Sequence, residues 1–335
     1  MMGRALFSVL SPQGPQARLS VLIFHRILPK PDPLLTGEPD AREFDEILGW
    51  MKSWFNVLPL DDAVVRLREG RLPSRAAAIT FDDGYQDNYT VALPALKRHG
   101  LSATFFISTG FLDGGRMWND SVVETVRRID CELNLESLGL GRFLTSSYAE
   151  KRQTVQLLLG CIKYLPHEDR LALTRRIAEV AGVSLPLDLM MTSEQVRLMR
   201  REGMLIGAHT VSHPILLGCD RGQVSIELRE SRDYLQNLLQ ERVGLFAYPN
   251  GKPGVDYGME DVNLVRQAGF DAAFSTAWAA AKGTDDLHQL PRFTPWDRQR
   301  ARFGMRMAVN LLQSARKGVS AYTVPKVSSL RKVCR

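Results

Sequence analysis

The stretch Ala77-Ala78-Ile79-Thr80-Phe81-Asp82-Asp83-Gly84-Tyr85 decides how this chain is read. Residues 77–81 form a short apolar run of the kind that makes a buried strand. The run passes directly into two adjacent carboxylates and a glycine. That places both acids at the C-terminal end of a strand, where parallel α/β folds gather their reactive groups. Two carboxylates buried side by side oppose each other's ionisation unless a cation neutralises them. One acid could then hold a metal ion while the other acts as a general base. The competing explanation is an Asp-Gly turn that caps a helix.

Working outward, residues 18–24 read as a second buried strand that ends at His25, and the Pro-rich residues 29–39 as a loop. Residues 43–54 carry helical apolar spacing at Phe44, Ile47, Leu48 and Met51. Residues 85–99 read as a helix closed by Gly100, and 101–107 as another strand. The alternation resumes after residue 192, with helices at 194–201, 224–239 and 260–268 and strands at 204–208, 245–248 and 272–275. Strands alternating with helices imply parallel strands joined by crossovers, hence an α/β fold. Residues 118–187 look almost wholly helical. They are expected to form an insertion on a loop, serving either as extra packing or as a cap facing the substrate.

Two further clusters follow predicted strands. In His209-Thr210-Val211-Ser212-His213-Pro214, two of the chain's six histidines stand four residues apart, a spacing that lets both imidazoles converge on one metal ion. Two imidazoles and one carboxylate leave coordination positions open, as a catalytic site requires. In Phe246-Ala247-Tyr248-Pro249-Asn250-Gly251, a Pro-stiffened turn could aim a backbone N–H at a developing oxyanion, or be a turn and no more.

Composition bounds the rest. The 335 residues are 44% hydrophobic and 24% charged, ordinary for a globular protein. The net charge of +6 is uneven. From Arg292 onward stand eleven Lys and Arg and one acid, Asp297, so the body of the chain is net negative. Positive charge gathered at one end, with no groove of aromatic platforms, argues against nucleic-acid binding. Four cysteines, Cys131, Cys161, Cys219 and Cys334, form no CxxC pair, and reduced thiols are expected. The apolar residues 5–10 are shorter than most secretory h-regions, which points to a cytoplasmic protein.

The motifs TFDDG, HTVSH and FAYPNG, in that order, resemble those of the polysaccharide deacetylase (NodB-like) superfamily, carbohydrate esterase family 4. The resemblance spans residues 20–293. It implies a distorted (β/α)7 barrel over residues 1–297, carrying the helical insertion, and one divalent metal ion, usually zinc. It further implies that Asp83, His209 and His213 hold the metal, that Asp82 is the general base, and that the backbone N–H near Asn250, with Tyr248, meets the oxyanion and substrate. The family's third motif often carries an Arg, bracing the catalytic Asp, where this chain has Ala247; Arg292 is the candidate replacement. The late Leu-x-His motif that supplies the catalytic acid is replaced by Leu290-Pro291-Arg292-Phe293. In this respect the chain resembles the poly-N-acetylglucosamine deacetylases, in which a His after the first strand is the acid, and His25 occupies that place. Trp278 is a candidate for the substrate pocket.

The expected function is hydrolysis of N-acetyl groups on a GlcNAc-type polysaccharide, oligosaccharide or glycan precursor. The rivals are hydrolysis of another amide or an O-acetyl ester, and a non-catalytic scaffold in polysaccharide assembly. Residues 298–335 form a basic segment whose Phe303, Met307 and Leu311 are spaced for a helix. That helix would either rest on an anionic membrane, peripheral to the inner membrane, or pack on the barrel.

Overall fold

The computed structural model describes residues 2–313. The strands are β1 (Leu19–Phe24), β2 (Asn56–Val57), β3 (Ala76–Phe81), β4 (Thr104–Ile107), β5 (Glu132–Asn134), β6 (Arg142–Leu144), β7 (Leu205–Ala208), β8 (Leu245–Ala247) and β9 (Ala272–Phe274). The described residues group into two compact units, 2–31 with 37–113 and 190–313, and 32–36 with 114–189.

The first unit holds a parallel sheet in the order β1-β3-β4-β7-β8-β9, with β2 beside the lower end of β3. Its two edges are joined by residues 290–293. Leu290 N–H donates to the Ala273 carbonyl at 2.9 Å, and Phe293 N–H donates to that of Val21 at 2.8 Å, so this irregular segment links β9 to β1. Period-two alternation then sorts the side chains. Ala77, Ile79 and Phe81 of β3 face an outer core shared with Phe44, Ile47, Leu48 and Met51 of the helix Ala41–Trp54. Ala76 and Ala78 face an inner core with Val21, Phe106, Ala247 and Phe274. Asp82 continues the inner row two residues beyond Thr80. The inner space is tight: a Cβ on Gly207 of β7 would lie 2.5 Å from the Phe106 ring.

Local signals account for most boundaries. Asp40 and Glu43 form a capping box at the start of Ala41–Trp54, and Gly100, at φ 63°, closes the helix Leu93–His99. Unanticipated elements of the first unit include the helices Met2–Leu10 and Leu60–Arg68, and β2. The apolar residues 5–10 lie in the first of these, where Phe7 packs on Phe55 with ring centroids 4.7 Å apart.

The second unit has its own core, built from Val122, Val126, Leu133, Leu158, Ile162 and Ile177. Three helices, Trp118–Arg127, Tyr148–Ile162 and His167–Val180, supply most of it. Besides the expected helices it holds a short antiparallel hairpin, β5 with β6. Gly139 and Gly141, at φ 72° and 90°, interrupt helical continuity and turn the chain back.

Within the described residues, the apolar face expected of the basic segment is packed. Phe303, Met307 and Leu311 of the helix Arg300–Leu312 are buried in the first unit's core, so they are not the residues that would meet a membrane. Residues 314–335 lie outside the described residues. No helix among the described residues is long and apolar enough to cross a membrane.

Candidate active site

Every candidate catalytic group stands just past the C-terminal end of a parallel strand: His25 after β1, Asp82 and Asp83 after β3, His209 after β7. Asp82, Asp83 and His209 are buried. Asp83 Oδ1 lies 3.4 Å from Nε2 of both His209 and His213, and the two rings are 4.9 Å apart. One ligand atom from each of these three residues lies within 4.8 Å of the others. Apart from these two imidazoles, buried Asp83 Oδ1 has no hydrogen-bond partner among the described residues, a position a cation would satisfy. His209 Nδ1–H donates to the Ala247 carbonyl at 2.7 Å, which fixes the tautomer and leaves Nε2 as the ligand atom. An Asp, His, His donor set arranged in this way fits a divalent ion.

The backbone bends to make this arrangement. Asp83, Thr210, His213 and Asn250 all have positive φ, at 75°, 65°, 52° and 58°. Non-glycine residues seldom adopt that region, and such strain clusters where tertiary structure imposes it. Glu227 imposes it on the histidine loop. Its carboxylate accepts from the N–H groups of Val211 at 2.7 Å and Ser212 at 2.9 Å, and from the Ser212 hydroxyl at 2.6 Å. Gly110 N–H donates to the Val211 carbonyl at 2.9 Å, and a Cβ at Gly110 would come within 2.8 Å of that oxygen.

Asp82 is held differently. Arg292 Nη1 and Nη2 donate to its two oxygens, each at 2.7 Å, and Arg292 is fully buried over the Phe106 ring. Arg292 comes from the segment that joins β9 to β1, two residues after inward-facing Leu290. Its Nε–H donates to the Ser275 carbonyl at 3.1 Å. The residue thus supplies a guanidinium from the far edge of the sheet where the usual third motif would supply one at Ala247.

Burial alone would push the Asp82 carboxyl up. The charge of Arg292, followed by that of His209 and the Arg292 hydrogen bonds, outweighs this and holds it below the usual carboxylate range. Asp83 is lowered for like reasons: burial raises it, and the hydrogen bond from His209 with the His213, His25 and His209 charges more than reverses that. Burial lowers His209, but the Asp82 charge and the Asp83 hydrogen bond and charge dominate and raise it. The pocket therefore holds two ionised carboxylates and draws positive charge to their neighbour.

His25 follows Phe24, whose carbonyl accepts from the Asp82 N–H at 2.9 Å, so the ends of β1 and β3 bring it beside the carboxylate pair. Its flanks are fixed by residues that sequence reasoning passed over. Asn88 Nδ2 donates to the His25 carbonyl at 2.9 Å, and Asp87 binds Arg26 Nε at 2.7 Å and the Ile27 N–H at 3.1 Å. Glu38 is also coupled to His25 and Arg26: burial raises its carboxyl, and their charges pull it back. The only sequence signal for Asp87 and Asn88 was their nearness to TFDDG.

Two candidates stand apart from this cluster. The Tyr248 side chain is fully buried, stacked on Tyr257 at 3.8 Å, and its hydroxyl donates to the His288 carbonyl at 2.8 Å. Desolvation raises its pKa further. The strand alternation that turns Ala247 inward turns Tyr248 outward, so its ring belongs to the core and not to a substrate surface. Trp278 packs on Phe293 and Trp296 and lines a cavity of about 460 Å³ beside the helix Arg300–Leu312. None of the Asp or His residues above lines that cavity. Asn250 sits where expected, in the turn after β8, with its carbonyl accepting from the Thr276 hydroxyl at 2.9 Å.

Residues 69–273 match the family model for polysaccharide deacetylases. The chain belongs to that family. Its deacetylase domain is accompanied by likeness to YxkH of Bacillus subtilis (strain 168), 22% identical over 285 residues that cover 82% of this chain and 71% of YxkH. Among solved structures, the fold of this deacetylase is similar to that of PplD from Streptococcus pyogenes, a deacetylase solved with acetate, with a TM-score of 0.59, 19% identity, and coverage of 88% of this chain and 98% of PplD. IcaB from Ammonifex degensii gives 0.56, 18%, 90% and 99%. The deacetylase domain of BpsB from Bordetella bronchiseptica gives 0.51, 15%, 82% and 95%. The architecture is the distorted barrel of NodB type, and family membership assigns the chain to deacetylation of carbohydrates.

Proposed function

We propose that this deacetylase removes N-acetyl groups from a GlcNAc-type glycan, with one divalent metal ion, zinc as the family resemblance implies, held by Asp83, His209 and His213. The observation that carries the reading is the pairing of an arginine-braced, ionised Asp82 with that three-residue donor set in one buried pocket. The bound ion would supply Lewis acidity toward the acetamide carbonyl and the attacking water.

The chain's own residues do the rest. Asp82, ionised across the neutral range because Arg292 faces it, accepts the proton of the water that attacks the acetyl carbon. The bidentate brace fixes the direction of its remaining lone pairs. The turn after β8, set by Pro249 and the left-handed Asn250, offers backbone N–H to the oxygen that gains negative charge. His25, at the end of β1, protonates the sugar nitrogen as the C–N bond breaks. Acetate and a free amino sugar result.

The intact set of four reactive groups speaks against a purely structural role. Acetate release from N-acetylglucosamine oligomers, measured with metal-loaded and chelator-treated protein, tests the proposal. Chelator-sensitive release is expected. Release from O-acetyl esters alone would replace the amide reading, and no release from either by fully metal-loaded protein would defeat it.

A further inference from the structure

The helix Arg300–Leu312 carries two different faces. Phe303, Met307 and Leu311 bury one of them in the core. Met305, Val309 and Leu312 recur at i, i+4 and i+7 on another, where Met305 and Leu312 are each 64% exposed. Arg302, one turn before Met305, extends the same stripe and is exposed. The helix Met2–Leu10 packs against this helix and exposes Leu6 and Val9, the latter 79% exposed. Trp296, just ahead of the stripe, is also exposed. Apolar side chains of this size are ordinarily tolerated singly, and a concentration of them on two neighbouring helices marks a contact surface.

The charge on these helices selects what the surface meets. Their sequences contain Arg4, Arg300, Arg302 and Arg306 and no Asp or Glu. Arg306 is paired with Asp297, and Arg300 lies over the Trp54 ring at 5.2 Å. Arg4 and Arg302 remain exposed. Two copies of this face would bring arginine against arginine, which disfavours self-association. An apolar stripe edged by arginines and a tryptophan matches the boundary of an anionic bilayer, with apolar side chains at the acyl level and guanidinium groups among the phosphates.

We infer that the paired helices Met2–Leu10 and Arg300–Leu312 form a docking face for an anionic phospholipid bilayer, through Leu6, Val9, Met305, Val309 and Leu312. The face differs from the one that sequence spacing suggested, whose residues are buried. Nothing in this inference depends on the reaction catalysed.

Flotation of the full chain with phosphatidylcholine vesicles, with and without phosphatidylglycerol, tests it. Binding about tenfold tighter to the anionic vesicles is expected, weakening as salt is raised. Met305→Glu/Val309→Glu should lower that affinity about tenfold or more with an unchanged melting temperature, since both side chains are exposed. Arg4→Gln/Arg302→Gln should remove the preference for anionic lipid. Equal binding by the Met305→Glu/Val309→Glu protein, or equal affinity for neutral vesicles, would overturn the inference. So would a concentration-dependent dimer in sedimentation velocity that the same double variant abolishes, because the face would then belong to a second copy.

Discussion

Arg292 and Asp82 stand 210 residues apart and meet as a two-pronged ion pair, both contacts at 2.7 Å and both side chains buried. The pair sets the protonation state of the proposed base and closes the sheet around it. Removing the cation would strand a buried carboxylate, at a cost of about 3–5 kcal/mol. Arg292→Met is therefore expected to lower the melting temperature markedly. Arg292→Lys should fold but lose turnover by about tenfold to a hundredfold, because an ammonium cannot grip both oxygens.

The same pair gives a pH dependence with a definite sign. In the folded protein Asp82 lies below its ordinary value of 3.8, so its contribution to stability is present above that pH and lost as the pH falls further. In Arg292→Lys, the weaker grip should let burial raise the carboxyl. The acid limb of the kcat/KM profile is then expected to move to higher pH. An unmoved limb would mean that Asp82 is not the group that must be ionised.

His25 is expected to act late, on the leaving nitrogen. His25→Ala should cut kcat by about a hundredfold or more while the metal content stays unchanged. Substrates with better leaving groups should be less affected. A uniform loss across leaving groups would return His25 to a structural role.

His209→Ala should abolish metal retention after dialysis, measured by elemental analysis, together with turnover. If both metal content and turnover survive, the assigned site is wrong. Glu227→Ala leaves all three ligands in place but frees the backbone at Val211 and Ser212. A loss of about 10–100-fold in metal affinity is expected, as for other outer partners of metal ligands.

Tyr248→Phe should reduce stability by about 1 kcal/mol through the lost hydrogen bond to His288 and leave KM unchanged. A large rise in KM would restore the tyrosine to the substrate surface. By contrast, Gly207→Ala adds a methyl against Phe106 at 2.5 Å and should destabilise by about 1–3 kcal/mol, since the ring lies beneath Arg292 and cannot yield freely.

The Asp, His, His cluster was legible in the sequence because each motif is local. Asp82 and Asp83 adjoin, His209 and His213 are four apart, and both motifs follow short apolar runs that read as buried strands of an alternating α/β chain. The helix Ala41–Trp54 was legible for the same reason, its four buried residues repeating at helical spacing. Asp87, Asn88 and Glu227 were not, because each acts through hydrogen bonds to a segment distant in the chain, largely to its backbone groups, and such pairings leave no mark in sequence.

The sequence by itself determined that reactive groups gather at strand ends, the α/β class and the order of most elements, since periodicity and adjacent reactive groups are properties of neighbouring residues. Only the tertiary structure decided that Arg292 faces Asp82, that Tyr248 turns into the core, and that Trp278 lines a separate cavity. It also decided that Met305 and Val309, rather than Phe303 and Met307, reach the surface. Each of these depends on which edge of a curled sheet meets which, and on which side of a strand or helix becomes the inside. That choice is made by packing, across separations that no local pattern records.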